Sequence, residues 1–524
     1  MGLISDLLGV SWFHNFTFVC SVIAAIIIAL TKSSFLEQTI RSRNRVLLFA
    51  IFFSGILYLE FYILGSSSAA LFGHESYNGS PILNFLFQTR TEGQQWAPEF
   101  GGGKDIRAFS VGGPLISLDA LFYSNFPFWI ASLLVRISAF AIGFIGTYLI
   151  ARRGFGLTHF ESALLGSLFM VYHIDQVRCL IYGVGMALPM LAAYLTVIEN
   201  NQRHYWFGVI IIGVLAASSL ITHTMFALIF TLAVFIVVME GKFCGRILIA
   251  IALIGIIALI GWHEKIYSFA QFAPASLHGS MLYPKQPDFK LKHFINQFFT
   301  NLLSLQAVGL LIICIVILCK RKIRGTYRIV TAWFLLALGP IGLNHLPWEF
   351  FGLGMVRSIH FDPGPAGLAL VIAAASLIFS DMRTLKDQEK LKLHGIGSFF
   401  TDKNPMILAT SSIILFFLFW NKSQIIFQNI HTGGMSQFTT IDNLNDPKWA
   451  PKHKFRVVNF SKNHAAMLAG FYGFETYDGM HNFLPFDLAA FWGHAIHKKA
   501  FLRKTQGLEI DFDTFDWEKL VFDL

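Results

Sequence analysis

The residues able to do chemistry fall in a few short stretches set between long apolar runs. The richest stretch is 66–126, which carries "FGHESYNGSPILNFL" and then "EGQQWAPEFGGGKDIRAFSVGGP". Here Glu75, Glu92, Glu99, Asp105 and Asp119 are mixed with Lys104 and Arg107, and Gly101 to Gly103 permit tight backbone turns. Further groups interrupt apolar surroundings. They are His173, Asp175 and Arg178 in "VYHIDQVRCLIYG", His223 in "ITHTMF", and the run His263, Glu264, Lys265. Another set, in "LNHLPWEFFGLGMVRSIHFDPGP", comprises His345, Trp348, Glu349, Arg357, His360 and Asp362. Ionisable groups beside a hydrocarbon core are expensive, and several loops each bringing an acid or a base to one face suggest a polar cavity. Each member alone has a plainer reading: a solvated loop acid, a histidine anchored at headgroup level, or, for Asp175 and Arg178, a local pair three residues apart.

The elements that must position these groups are apolar helices. Of 524 residues, 55% are hydrophobic and only 14% charged, where a soluble domain has about a quarter charged. The apolar residues come in blocks of about 17–25, the length that crosses about 30 Å of hydrocarbon as a helix. The spacing predicts an all-α polytopic membrane protein with about twelve transmembrane helices. They fall near 13–31, 46–65, 127–151, 158–174, 180–197, 205–221, 223–239, 246–262, 299–319, 327–343, 364–380 and 405–421. The first run lacks a basic region before it and a cleavage site after it, so it reads as a retained span rather than a signal peptide.

Alternate connections hold the basic residues. Lys32, Arg41, Arg43 and Arg45 follow the first span, Arg152 and Arg153 the third, Arg203 the fifth, and Lys242 with Arg246 the seventh. Lys320 to Arg328 and then Arg383 to Lys392 follow the ninth and eleventh. All fall on one side, which the positive-inside rule makes the cytoplasm. The longer pieces, 66–126, 263–298, 344–363 and the tail, then lie outside. The division expected is a transmembrane domain over 1–421 with outer loops 66–126 and 263–298, and a small mixed α/β extracytoplasmic domain over 422–524. In that tail "FRVVNF" reads as a strand, and 487–500 as an amphipathic surface helix.

Several function classes are disfavoured. The net charge of +9 is spread over short loops with no basic face, so nucleic-acid binding is not expected. The five cysteines include no CxxC pair, and no HExxH spacing occurs, so neither a disulfide framework nor a metal site is indicated. The Gly101–Gly103 run is followed by Lys-Asp and lacks a P-loop's strand–turn–helix context. No internal repeat of the kind found in many transporters is evident.

The chain resembles the YfhO-like group of bacterial membrane proteins, within the GT-C class of integral-membrane glycosyltransferases. The resemblance rests on "GHESYNG" followed by "SVGGPLISLDALFYSNFPFW" and "GTYLIARRG", on "IYGVGMALPMLAAYL" with "RSIHFDPGPAGLAL", and on "AGFYGFETYDGMHNFLP" in the tail. It departs from the group's pattern at Glu75, where Asp is expected, and at Met480, where Tyr is expected. The resemblance implies a glycosyltransferase of the bacterial cytoplasmic (inner) membrane. It would move a sugar from a polyprenyl-phosphate donor to a cell-envelope glycan or polymer at the outer face. The sequence itself predicts no cofactor, and a divalent metal is left open without support. The resemblance points to Glu75 as general base, with Asp105 as second choice. Arg357 and Arg178, helped by His360, would hold the lipid phosphate. Two rival readings are a transporter or flippase of lipid-linked sugars, and a non-enzymatic subunit of an envelope assembly complex.

Overall fold

The computed structural model describes residues 20–25, 28, 39–65, 96–97, 104–105, 117–177, 183–218, 221–239, 245–263, 266–267, 326–345, 364–388, 405–432, 456–457 and 475–476. They are overwhelmingly helical. In chain order the helices are α1 (Arg43–Leu57), α2 (Leu59–Leu64), α3 (Leu118–Asn125), α4 (Phe128–Leu149), α5 (His159–Val177) and α6 (Gly183–Ala193). They continue with α7 (Gln202–Ala216), α8 (Ile221–Val238), α9 (Gly245–Gly261), α10 (Thr326–His345), α11 (Gly364–Gln388) and α12 (Pro405–Thr432). Single π-helical turns extend α4 (Ile150–Gly154) and α6 (Tyr194–Ile198).

Trp129–Gly154 forms one continuous helix of 26 residues, long and apolar enough to cross a membrane. The other apolar helical stretches among the described residues are shorter. The expected span 299–319 lies outside the described residues, as does most of 13–31, of which 20–25 is helical.

The local sequence explains how these helices begin and stay satisfied. At the start of α5, "THFE" makes a reciprocal cap. The Thr158 N–H donates to Glu161 Oε2 at 2.8 Å, and the Glu161 N–H donates back to Thr158 Oγ1 at 3.2 Å. Hydroxyls inside apolar helices turn onto their own backbone, which removes the cost of an unpaired polar group there. Thr147 donates to Gly143 O (2.8 Å), Ser167 to Ala163 O (3.0 Å), Thr196 to Ala192 O (2.7 Å) and Ser376 to Ile372 O (2.7 Å). Pro189 sits inside α6 and donates nothing to the helical ladder, a defect that neighbouring helices can absorb.

α6 is the hub. It packs against α4, α5, α7, α8 and α11, and Val184, Ala187, Leu188, Met190 and Ala192 on it are buried. α4 crosses it closely because Gly146 has no side chain: a Cβ there would come within 2.8 Å of Leu191 Cα. α8 bridges α6 to α10 and α11, and α12 packs on α5. α7 and α9 run parallel to each other and are pinned at both ends. Tyr205 Oη donates to Arg246 O at 2.9 Å, and Trp262 Nε1 donates to Ala217 O at 2.8 Å. Trp262 is nearly buried, so its indole N–H needs that acceptor.

The outward faces are apolar. Leu47, Leu48, Ile51 and Phe52 on α1, Phe207 and Ile210 on α7, and Leu248, Ile256 and Ile260 on α9 are all exposed. Arg136, Glu60, Thr231 and Ser162 are buried. This is the reverse of a water-soluble arrangement, in which charge faces outward.

Strand content among the described residues is confined to two short pairs. β1 (Trp96–Ala97) and β2 (Lys104–Asp105) are antiparallel, with Trp96 opposite Asp105 and Ala97 opposite Lys104. β3 (Arg456–Val457), within "FRVVNF", lies parallel to β4 (Glu475–Thr476). The expected surface helix near 487–500 lies outside the described residues.

Candidate functional site: a buried ion cluster at one end of the bundle

The expected span 46–65 is not one straight helix. It breaks at Tyr58, whose backbone (φ −115°, ψ 28°) leaves helical geometry between α1 and α2. The Phe61 N–H, which an unbroken helix would aim at Leu57 O, instead bonds Tyr58 O at 3.1 Å. The Leu57 carbonyl so released is taken by Lys422 Nζ from α12. The same ammonium meets Glu60 Oε2. Glu60 and Lys422 are both largely shielded, with side-chain exposures of 4% and 19%. The second carboxylate oxygen, Glu60 Oε1, is buried and has no hydrogen-bond partner among the described residues.

On the other flank of the break stands Arg136 of α4, only 2% exposed. Its guanidinium donates to Ser132 Oγ and to Ser132 O (3.3 Å), one turn earlier. It also lies over the Phe61 ring, 5.2 Å from the centroid. Tyr58 Oη donates to Arg136 O at 3.2 Å. Three helices distant in sequence therefore contribute one carboxylate, one ammonium and one guanidinium to a single buried cluster. Removing such charges from water costs roughly several kcal/mol each, so these groups persist only where they are paired and hydrogen-bonded. The cluster lies where α1 gives way to α2, at the first turn of α2, in the first half of α4 and in the second half of α12. Gly65, in a left-handed conformation (φ +53°), ends α2 and opens the 66–126 loop at this same end.

The opposite end carries tethered arginines. Arg152 donates to Leu157 O (2.7 Å), Arg246 to Glu199 O (3.3 Å) and Arg328 to Val238 O (3.4 Å). Each thereby satisfies a carbonyl at or beyond a helix end. Arg246 stacks 3.5 Å from the Tyr205 centroid. Arg153 pairs with Glu199 at 3.3 Å and donates to Tyr194 Oη. The Asn201 N–H (2.9 Å), then the Tyr194 hydroxyl (2.7 Å) and the Arg153 charge, hold the Glu199 carboxyl below the ordinary range.

Glu75, Arg178, Arg357 and His360 lie outside the described residues. Asp105 is described only as backbone, in β2 opposite Trp96. His173 and Asp175 belong to α5, His223 to α8 and His345 to α10, with their side chains outside the described set. His263 follows α9, is exposed, and its ring Nδ1 stands 2.8 Å from Ile260 O. Among the described residues no group of three His, Cys, Asp or Glu could hold a metal ion.

Sequence reasoning missed Glu60, Arg136 and Lys422. A lone Glu in 46–65 and a lone Arg in 127–151, each amid apolar residues, were the visible signals of a buried polar site. No known protein family matches the chain, and no curated protein does either.

Proposed function

We propose that the chain is a multi-pass protein of the bacterial cytoplasmic membrane that transfers a sugar from a polyprenyl-phosphate donor to a cell-envelope glycan or polymer at the outer face. The observation that supports a membrane setting is the inverted bundle: large apolar side chains cover its outside while Arg136, Glu60 and Lys422 are held within. The alternation of basic loops, with Arg152, Arg246 and Arg328 gathered at the end opposite the 66–126 loop, supports the orientation. Sugar transfer itself is supported by the resemblance of "GHESYNG", "RSIHFDPGP" and "ETYDGMHN" to the GT-C class.

In this reading an acceptor hydroxyl attacks the anomeric carbon of the donor. Its proton passes to the Glu75 carboxylate as the new glycosidic bond forms. The bond between the anomeric carbon and the lipid phosphate oxygen breaks, and the polyprenyl phosphate departs with the electron pair. Arg357 and Arg178 hold its negative charge with planar, two-point hydrogen bonding, and His360 adds a further donor. Asp105 is the alternative base.

A flippase of lipid-linked sugars is the second reading. The charged groups inside helices and the break at Tyr58 favour it, since transporters place such features within their spans. Purified protein in proteoliposomes separates the two. A labelled polyprenyl-phosphate sugar and a glycan acceptor should yield labelled glycan and free polyprenyl phosphate. Movement of intact lipid-linked sugar across the bilayer with no glycan labelled would overturn the transferase reading.

A further inference from the structure

We propose that Lys422 is a positioning residue: from the last described helix it maintains the break between α1 and α2, and so sets the direction in which the chain leaves for the 66–126 loop. The sequence around the break, "ILYLEFYIL", contains no proline. The Ser54–Gly55 pair lies one turn earlier, and the hydrogen bond from the Tyr58 N–H to Ser54 O (3.1 Å) is intact across it. An interruption of the helix with no local breaker points to a group inserted into the helical ladder. Lys422 is that group, because its ammonium occupies the carbonyl that Phe61 would otherwise use. Glu60, one turn along, holds the ammonium in place. From the other side Arg136 grips the Phe61 ring and its carbonyl accepts from Tyr58. α2 is thus fixed between α12 and α4, and Gly65 releases the outer loop from its end.

A plain counter-ion role is the alternative, with Lys422 only neutralising Glu60. The two roles separate when both charges are removed together. A buried pair replaced on both sides by neutral groups leaves no unpaired charge. Glu60→Gln/Lys422→Met therefore removes the pair together, leaving the net charge of the cluster, carried by Arg136, unchanged, but leaves Leu57 O without its donor. The measurement is an electron-spin distance between labels at Ile63 on α2 and Leu121 on α3, both exposed, in full-length protein in lipid nanodiscs with the native cysteines replaced. The unsubstituted chain should give one narrow distance. Both Lys422→Met and the double variant should give a shifted or broadened one. A narrow, unshifted distance in either variant would overturn the proposal, and the double variant decides alone if Lys422→Met fails to insert.

The consequence for activity rests on the transferase reading. In the double variant kcat should fall by about a hundredfold, as expected for misplaced reacting groups, with the donor KM unchanged. A rise in KM with kcat unchanged would contradict positioning. If the unsubstituted protein transfers no sugar at all, the transferase reading fails while the distance measurement still decides the role of Lys422.

Discussion

Lys422 donates to the carbonyl of Leu57, joining positions 365 apart in the chain and filling the gap where α1 gives way to α2. That contact brings α12 against the junction of α1 and α2.

At Gly146 the backbones of α4 and α6 meet with no room for a side chain. Gly146→Ala should destabilise the protein by about 1–3 kcal/mol, the usual range for overpacking. Gly55 in α1 has nothing within 4 Å of where a Cβ would stand. Gly55→Ala should be neutral or stabilising by up to about 1 kcal/mol, because alanine is the better helix former. Thermal unfolding in detergent micelles checks both, and equal effects would contradict the close crossing.

How much of this was legible in the sequence depends on the range of the cause. α4, α8 and α9 follow from apolar runs of helical length, and their ends lie within a few residues of expectation. The break at Tyr58 did not follow, since its cause lies in α12. α12 itself runs on to Thr432 rather than ending near 421, because Lys422, which reads as the close of a span, is shielded and paired. Arginines that read as topology signals also satisfy carbonyls, as Arg328 does at Val238, and spacing alone cannot show that. For the expected site only the Asp105 backbone is described, while Glu75, Arg178, Arg357 and His360 lie outside the described residues.

Glu199 should make stability depend on pH in the acid range. Its folded-state pKa is lowered, by the Asn201 N–H first and then by Tyr194 and Arg153. Its contribution is therefore complete above the unfolded carboxylate value of about 4.3 and is lost as pH falls through the lower folded value. Glu199→Gln should lower the unfolding temperature at neutral pH, with the gap to the unsubstituted protein smaller at an acid pH below about 4.3. A gap of the same size at both pH values would rule this out.

The outer loop and the tail should lie on the same, extracytoplasmic side. In a chain with its native cysteines replaced, Ser76→Cys and Ser461→Cys should react in intact cells with a membrane-impermeant thiol reagent. Asn200→Cys, exposed at the arginine-bearing end, should react only after permeabilisation. Protection of either outer position would refute the proposed topology.

The most direct test of the central claim is Glu75→Gln, assayed with a polyprenyl-phosphate sugar and a glycan acceptor. The substitution preserves size and hydrogen bonding and removes the base. Sugar transfer should fall by about 10²–10⁴-fold, the usual contribution of general-base catalysis, while insertion and unfolding temperature stay unchanged. Transfer at the unsubstituted rate would contradict the account.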